Sequence, residues 1–160
     1  MTDRPRFILD TNVVIDWLVF SDPYMAPLRY QTACGAITIL THELAIAELT
    51  RVLSYPELKL SEQRQTDTLR SYRAQSRLEV MLEGCAIAQW QLPAHFPSCR
   101  DRDDDLFLAL AYHARATALV TRDKALLKMR KRVRKFQMSI LDVQQLIALL
   151  NGTPAISPMA

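Results

Sequence analysis

Four carboxylates fall at points where a chain of alternating strands and helices could gather them: Asp10, Glu48, Asp104 with Asp105 beside it, and Asp123. Taken singly, each has an ordinary explanation as a helix cap, a salt-bridge partner or a first-turn acid that favours the helix dipole. Together they pose a physical problem, because like charges held close raise one another's pKa and destabilise a fold. Convergence of the four would call for a cation, and an oxygen-only set suits Mg2+ or Mn2+ rather than zinc. The other ligand types offer nothing comparable. His42, His95 and His113 share no ligand spacing, and Cys34, Cys85 and Cys99 are odd in number and scattered, as free or buried thiols of a reducing compartment would be.

The elements that must deliver these acids can be read from pattern. Arg6 to Asp10 is a short apolar strand ending on a carboxylate, and Asn12 can cap a helix from Val13 to about Phe20. After the Ser21-Asp22-Pro23 break, Tyr24 to Ala33 reads as helix and Ala36 to Leu40 as strand two. Thr41 is placed to cap a helix from His42 to Ser54, closed by Pro56. Ser61 to Glu83 is the longest helical stretch, Cys85 to Trp90 a third strand, and Leu92 to Arg100 a loop. A helix from about Arg102 to Ala114, the strand Ala118 to Thr121, a short helix from Asp123, a fifth strand from Gln137 to Leu141 and a last helix capped by Asp142 complete the chain. This alternation predicts an α/β fold: a mainly parallel five-stranded sheet with helices on both faces. Sites in such sheets form beyond the carboxyl ends of the strands, where Asp10, Thr121 and Asp123 fall.

Helical phase decides which acids face the body. Ala45, Leu49 and Val52 share a face with Glu48 at its border, whereas Glu43 points nearly opposite. In the next acidic stretch, Phe107, Leu108 and Ala111 define the inward side; Asp104 points with them, Asp101 lies one turn earlier, Asp105 is displaced to the edge and Asp103 turns away. Asp16, six residues into the first helix with no motif behind it, is set aside.

The chain has 160 residues, 49% hydrophobic and 23% charged, as expected of one domain over 1–150 with a loose tail at 151–160. No apolar run reaches the ~20 residues of a membrane span, and the charged start leaves no room for a signal peptide, so a cytoplasmic protein is expected. Net charge is +3, but its distribution is uneven: eight basic residues and one acid lie between Arg122 and Lys135. A negative pocket beside a positive rim suits a metal-dependent enzyme acting on a polyanion.

Four segments carry a family resemblance. Leu9-Asp10-Thr11-Asn12-Val13, Ala47-Glu48-Leu49-Thr50-Arg51-Val52-Leu53, Cys99-Arg100-Asp101-Arg102-Asp103-Asp104-Asp105-Leu106-Phe107-Leu108 and Leu119-Val120-Thr121-Arg122-Asp123-Lys124 resemble, in order and spacing, the motifs of PIN-domain nucleases. The resemblance runs from about Phe7 to Leu150. It is closest to the branch of toxin components of type II toxin–antitoxin pairs (VapC-like), with Arg102 in place of the usual proline and Arg122 in place of the commoner glycine. It implies a Rossmann-like PIN fold and a catalytic and metal-binding set of Asp10, Glu48, an acid of the Asp104/Asp105 pair, and Asp123. Asn12, Thr121 and Asp101 would support them. The branch's third motif aligns Asp104, while shorter toxin-type relatives align Asp105.

The expected activity is Mg2+- or Mn2+-assisted hydrolysis of an RNA phosphodiester with water as nucleophile. Arg122, Lys124, Lys128 and Arg130, and the arginines from Arg64 to Arg77, would contact the backbone, and Tyr72 and Trp90 are either base-stacking rings or simply core. Family habit implies a homodimer and a small antitoxin partner. Two rivals are a catalytically idle PIN-fold binding module and a phosphoacceptor receiver domain. The receiver needs an acidic pair after its first strand and an Asp ending its third; here Asp10 stands alone and Cys85 to Leu92 holds no acid.

Overall fold

The structure, a computed structural model of the chain, describes residues 3–79, 92–99 and 102–152, the side chains of residues 102 and 103 excepted. The first strand, β1 (Arg6–Leu9), stands at the centre of a five-stranded sheet of order β3-β2-β1-β4-β5. Its neighbours are β2 (Thr38–Thr41) and β4 (Ala118–Val120); β3 (Arg77–Leu78) and β5 (Ile140–Leu141) form the edges, and every pairing is parallel. Ile8 lies opposite Leu40 on one side and Leu119 on the other.

Side chains alternate across the sheet and so divide the core into two layers. Phe7, Leu9, Ile39, Ala118 and Val120 pack on one face with α1 (Thr11–Leu18), α2 (Ala26–Ala33), α3 (Glu43–Leu53), α4 (Glu62–Gln75) and α8 (Val143–Asn151). Ile8, Leu40, Leu119 and Ile140 pack on the other with α5 (Arg102–His113), α6 (Lys124–Leu127) and α7 (Arg130–Val133). Burial on both faces explains why the central strands read as continuous apolar runs. Among the described residues no helix is long and apolar enough to cross a membrane.

The α/β architecture matches the expectation, with local differences that have physical causes. The first helix starts at Thr11, so Asp10 itself is the N-cap; Asn12 lies exposed in the first turn. Likewise Thr41 completes β2 and is buried, and the cap of α3 is His42, whose Nδ1 accepts the Leu44 N–H at 3.1 Å. The stretch expected to be helical to Glu83 stops at Gln75. There the Ser76 hydroxyl caps the Tyr72 carbonyl, and Arg77–Leu78 turn into the sheet edge, anchored beyond by the Glu79 N–H on Thr41 O. The strand expected over Cys85–Trp90 lies outside the described residues, as do Asp101 and residues 153–160. Asp142 caps α8 as expected, within a reciprocal capping box with Gln145.

Candidate active site

Strand order reverses around β1: β2 lies to one side and β4 to the other, so the gap beyond the ends of β1 and β4 is the topological switch point of the sheet. Asp10 sits at that gap. Its N–H extends the ladder to Val120 O at 2.9 Å, and one residue later the chain is helical. Asp10 is 5% exposed. Oδ1 accepts the Thr11 N–H and Oδ2 accepts the Thr121 hydroxyl, both at 2.7 Å. Burial pushes the Asp10 pKa up, the two donors pull it down, and the Asp123 charge pushes it up again.

Glu48 enters from α3 and reaches Asp10 through Thr11. The Thr11 hydroxyl donates to Glu48 Oε2 at 2.5 Å while the Thr11 N–H serves Asp10, so one buried residue links the two acids. The other Glu48 oxygen lies 3.9 Å from the Arg51 guanidinium. Glu48 is thus both an acid at the border of the inward face and the partner of Arg51, and its side chain is 17% exposed. Glu43 faces outward, as phase required, and pairs with Arg73. The role of Thr11 was not read from the sequence; its place between Asp10 and an inward glutamate on a helix packed against α1 was the available signal.

On the other side of the gap, fully buried Thr121 donates to Asp10 and accepts the Asp123 N–H at 2.9 Å. Asp123 in turn caps α6, its Oδ1 accepting the Ala125 N–H at 2.7 Å. Between them Arg122 crosses to α1 and forms an ion pair with Asp16 at 2.5 Å.

The third acid comes from the start of α5, which packs on β1, β4 and α3. Asp104 is buried at 9% exposure and Asp105 is half-buried, in the order that helical phase predicts. They also have different partners. Asp105 Oδ1 accepts the Cys99 N–H at 2.7 Å and so ties α5 to the preceding loop, while Asp104 Oδ2 lies 3.8 Å from Cys99 Sγ. Cys99, which sequence reading treated as a scattered thiol, contacts both acids.

The donor chemistry fits a hard divalent cation. All the groups brought to the gap are carboxylates and hydroxyls, and the most deeply buried of the carboxylates, Asp10, carries a pKa raised by burial and by a neighbouring negative charge. Among the described residues no three His, Cys, Asp or Glu side chains stand close enough to cage an ion by themselves. Mg2+ does not require such a cage, because it keeps several waters and is held through one or two carboxylates plus substrate phosphates.

The expected nucleic-acid contacts fare unevenly. Lys124 and Lys128 are exposed on and just after α6. The Arg130 guanidinium is instead engaged by Ile140 O, Asp142 and Gln145, pinning α7 to the start of α8. Arg64 donates to Val19 O, and Arg70, Arg73 and Arg77 pair with Asp67, Glu43 and Glu79. Tyr72 is 2% exposed in the core, so its ring cannot stack a base, and burial pushes its pKa up to about 12. Trp90 lies outside the described residues. A cleft of about 880 Å³ lined by Tyr112, Arg115, Lys135 and Phe136 opens at the far end of α5, away from the carboxylates.

The PIN domain family model matches residues 6–125, which include Asp10, Glu48, Asp104 and Asp123. No curated protein matches the chain significantly. With the match covering well over half of its 160 residues, the chain belongs to the PIN domain family, whose general activity is that of a nuclease.

Proposed function

We propose that the protein is a divalent-metal-dependent endoribonuclease and the toxin of a toxin–antitoxin pair. The observation that carries the catalytic part is Asp10: a buried carboxylate at the switch point, held by Thr11 and Thr121 and repelled by Asp123. Asp10, Glu48, Asp104 and Asp123 would hold Mg2+ or Mn2+, which when bound supplies Lewis-acid polarisation of a phosphate oxygen and a more acidic water. Asp104 is preferred over Asp105 because it is the more deeply buried of the two, on the inward side of α5. Thr121 fixes the direction of the Asp10 carboxylate and the turn that presents Asp123, and Thr11 orients Glu48. Exposed Lys124 and Lys128, with Arg122, would meet the phosphate backbone. The choice of RNA, the small antitoxin partner, the homodimer and the cytoplasmic setting rest on the resemblance of the four motifs to the toxin branch.

The test is cleavage of a defined RNA pool with Mg2+, with EDTA, and with the Asp10→Asn variant. Internal cleavage that requires the metal and is lost in Asp10→Asn supports the proposal. Cleavage that survives the substitution undiminished overturns it, and a wild-type protein that binds RNA without cleaving under any divalent ion is an idle module.

A further inference from the structure

Asp16 has no place in the four-acid set, yet it makes the ion pair that spans the two halves of the site. It lies on the second turn of α1, whose N-terminus carries Asp10 and Thr11, and its side chain is 17% exposed. Arg122 lies in the turn between Thr121 and Asp123, with its side chain 57% exposed. The two meet at 2.5 Å across 106 residues of sequence, and Asp16 is the sole ion-pair or hydrogen-bond partner of the Arg122 guanidinium among the described residues. A guanidinium presents five donors in a planar fork, so one carboxylate leaves donors facing solvent. Arg122 is thus fixed at one edge and open at the other, next to the residues that hold Asp10.

On the reading of this site as a nuclease centre, we propose that Asp16 is a positioning residue. It holds Arg122 as the clamp for an RNA phosphate beside the scissile bond. An unanchored arginine on this turn would lose side-chain entropy each time it bound phosphate; one already ordered by Asp16 loses less. Fixing Arg122 also sets its fork relative to the carboxylate cluster, so the clamp and Asp10 act on one stretch of backbone. The neighbouring Lys124 has no ion-pair partner among the described residues and supplies only a mobile charge.

The experiment uses the full chain and variants Asp16→Asn, Arg122→Ala, Arg122→Lys and Asp16→Asn/Arg122→Ala, with circular dichroism to establish folding. Binding of a fluorescein-labelled single-stranded RNA is measured by anisotropy in EDTA across a salt series, and KM and kcat are measured with Mg2+. Asp16→Asn and Arg122→Ala are each expected to weaken binding and raise KM on the order of tenfold, with kcat changed much less. The double variant should be no worse than Arg122→Ala alone, the salt slope should fall by about 0.7 with the loss of one phosphate contact, and Arg122→Lys should recover little because the fork is lost. Unchanged or tighter RNA binding in Asp16→Asn overturns the proposal, as does an additive double variant. An Asp10→Asn control separates the two levels: if that variant still cleaves, the nuclease reading fails; if it is dead while Asp16→Asn binds like wild type, only the role of Asp16 fails.

Discussion

Replacing Thr121 by Val keeps the branched shape of a fully buried side chain and removes one hydroxyl. That hydroxyl donates to Asp10 and accepts the Asp123 N–H, so the substitution should act on stability in a pH-dependent way. Burial is the largest influence on Asp10 and lifts its pKa above the ordinary 3.8, with Thr121 the first of the groups pulling it back. A carboxylate whose folded pKa lies above its unfolded one favours the fold fully below the unfolded value, and that contribution is lost as pH rises through the folded value. Removing Thr121 raises the folded pKa further and deepens the loss at neutral pH. A hydrogen bond to the charged form contributes ~1.5–3 kcal/mol and one to a neutral carboxyl ~0.5–1.5 kcal/mol. For a domain of this size each kcal/mol moves Tm by roughly 2–4 °C. Thr121→Val should therefore melt about 3–12 °C below wild type at pH 7.5 in EDTA, and only about 1–6 °C below it at pH values under the ordinary 3.8. The assay is thermal unfolding of both proteins across that range, repeated in an Asp10→Asn background, where the pH dependence of the deficit should vanish. A deficit equal at all pH values would refute the reasoning, because the hydroxyl would then serve only the Asp123 amide and the packing.

Three further outcomes are expected. Asp10→Asn removes a buried charge while keeping an acceptor for the Thr11 N–H, so it should melt above wild type in EDTA at pH 7.5; with Mg2+ at 100 times its Kd the wild type should gain ~2.7 kcal/mol and the variant nothing, as read by calorimetric melting. Asp104→Asn should abolish cleavage and the Mg2+-induced rise in Tm, whereas Asp105→Ala should keep the Mg2+ response and show faster amide exchange at Cys99, whose N–H loses its acceptor. Phenolate absorbance should show one tyrosine ionising near 12, a step absent in Tyr72→Phe; because that pKa is raised, the stability it represents is present below the ordinary value of 10.0 and lost as pH rises through about 12.

Much of this molecule is legible without coordinates because its core signals are local. The apolar runs of β1, β2 and β4 are buried on both faces, and the phase of α3 and α5 orders Glu48 against Glu43 and Asp104 against Asp105 as found. What escapes is whatever depends on a partner distant in sequence. Arg130 reads as one more cation in a basic run, yet its guanidinium belongs to the Ile140 carbonyl and the α8 cap. Tyr72 sits in a helix dense in Arg and Gln where only it and Thr68 are buried, so the local pattern leaves core and base-stacking both open, and the structure decides for core. Arg77–Leu78 is a two-residue exposed edge with no apolar alternation to announce it. Asp16 is set aside on sequence for want of a motif, because its partner lies 106 residues away. The departure of Arg122 from the commoner glycine was visible; what it would bond was not.

The placement of the hydroxyls explains how the fold tolerates its own acid cluster. Two threonines alternate with the three acids around the gap: Glu48, Thr11, Asp10, Thr121, Asp123, each joined to the next by a hydrogen bond. Both threonines are buried, so they replace water as donors without admitting bulk solvent. Asp10 receives the Thr121 hydroxyl and the Thr11 N–H, and these charge-assisted bonds offset part of the desolvation that its burial exacts. Only part is offset, since the pKa of Asp10 remains raised. The residual penalty is what a divalent cation can relieve and what a neutral amide would remove. It is therefore best understood as strain kept at a site for function, located at the one acid that both strand order and helix capping fix in place.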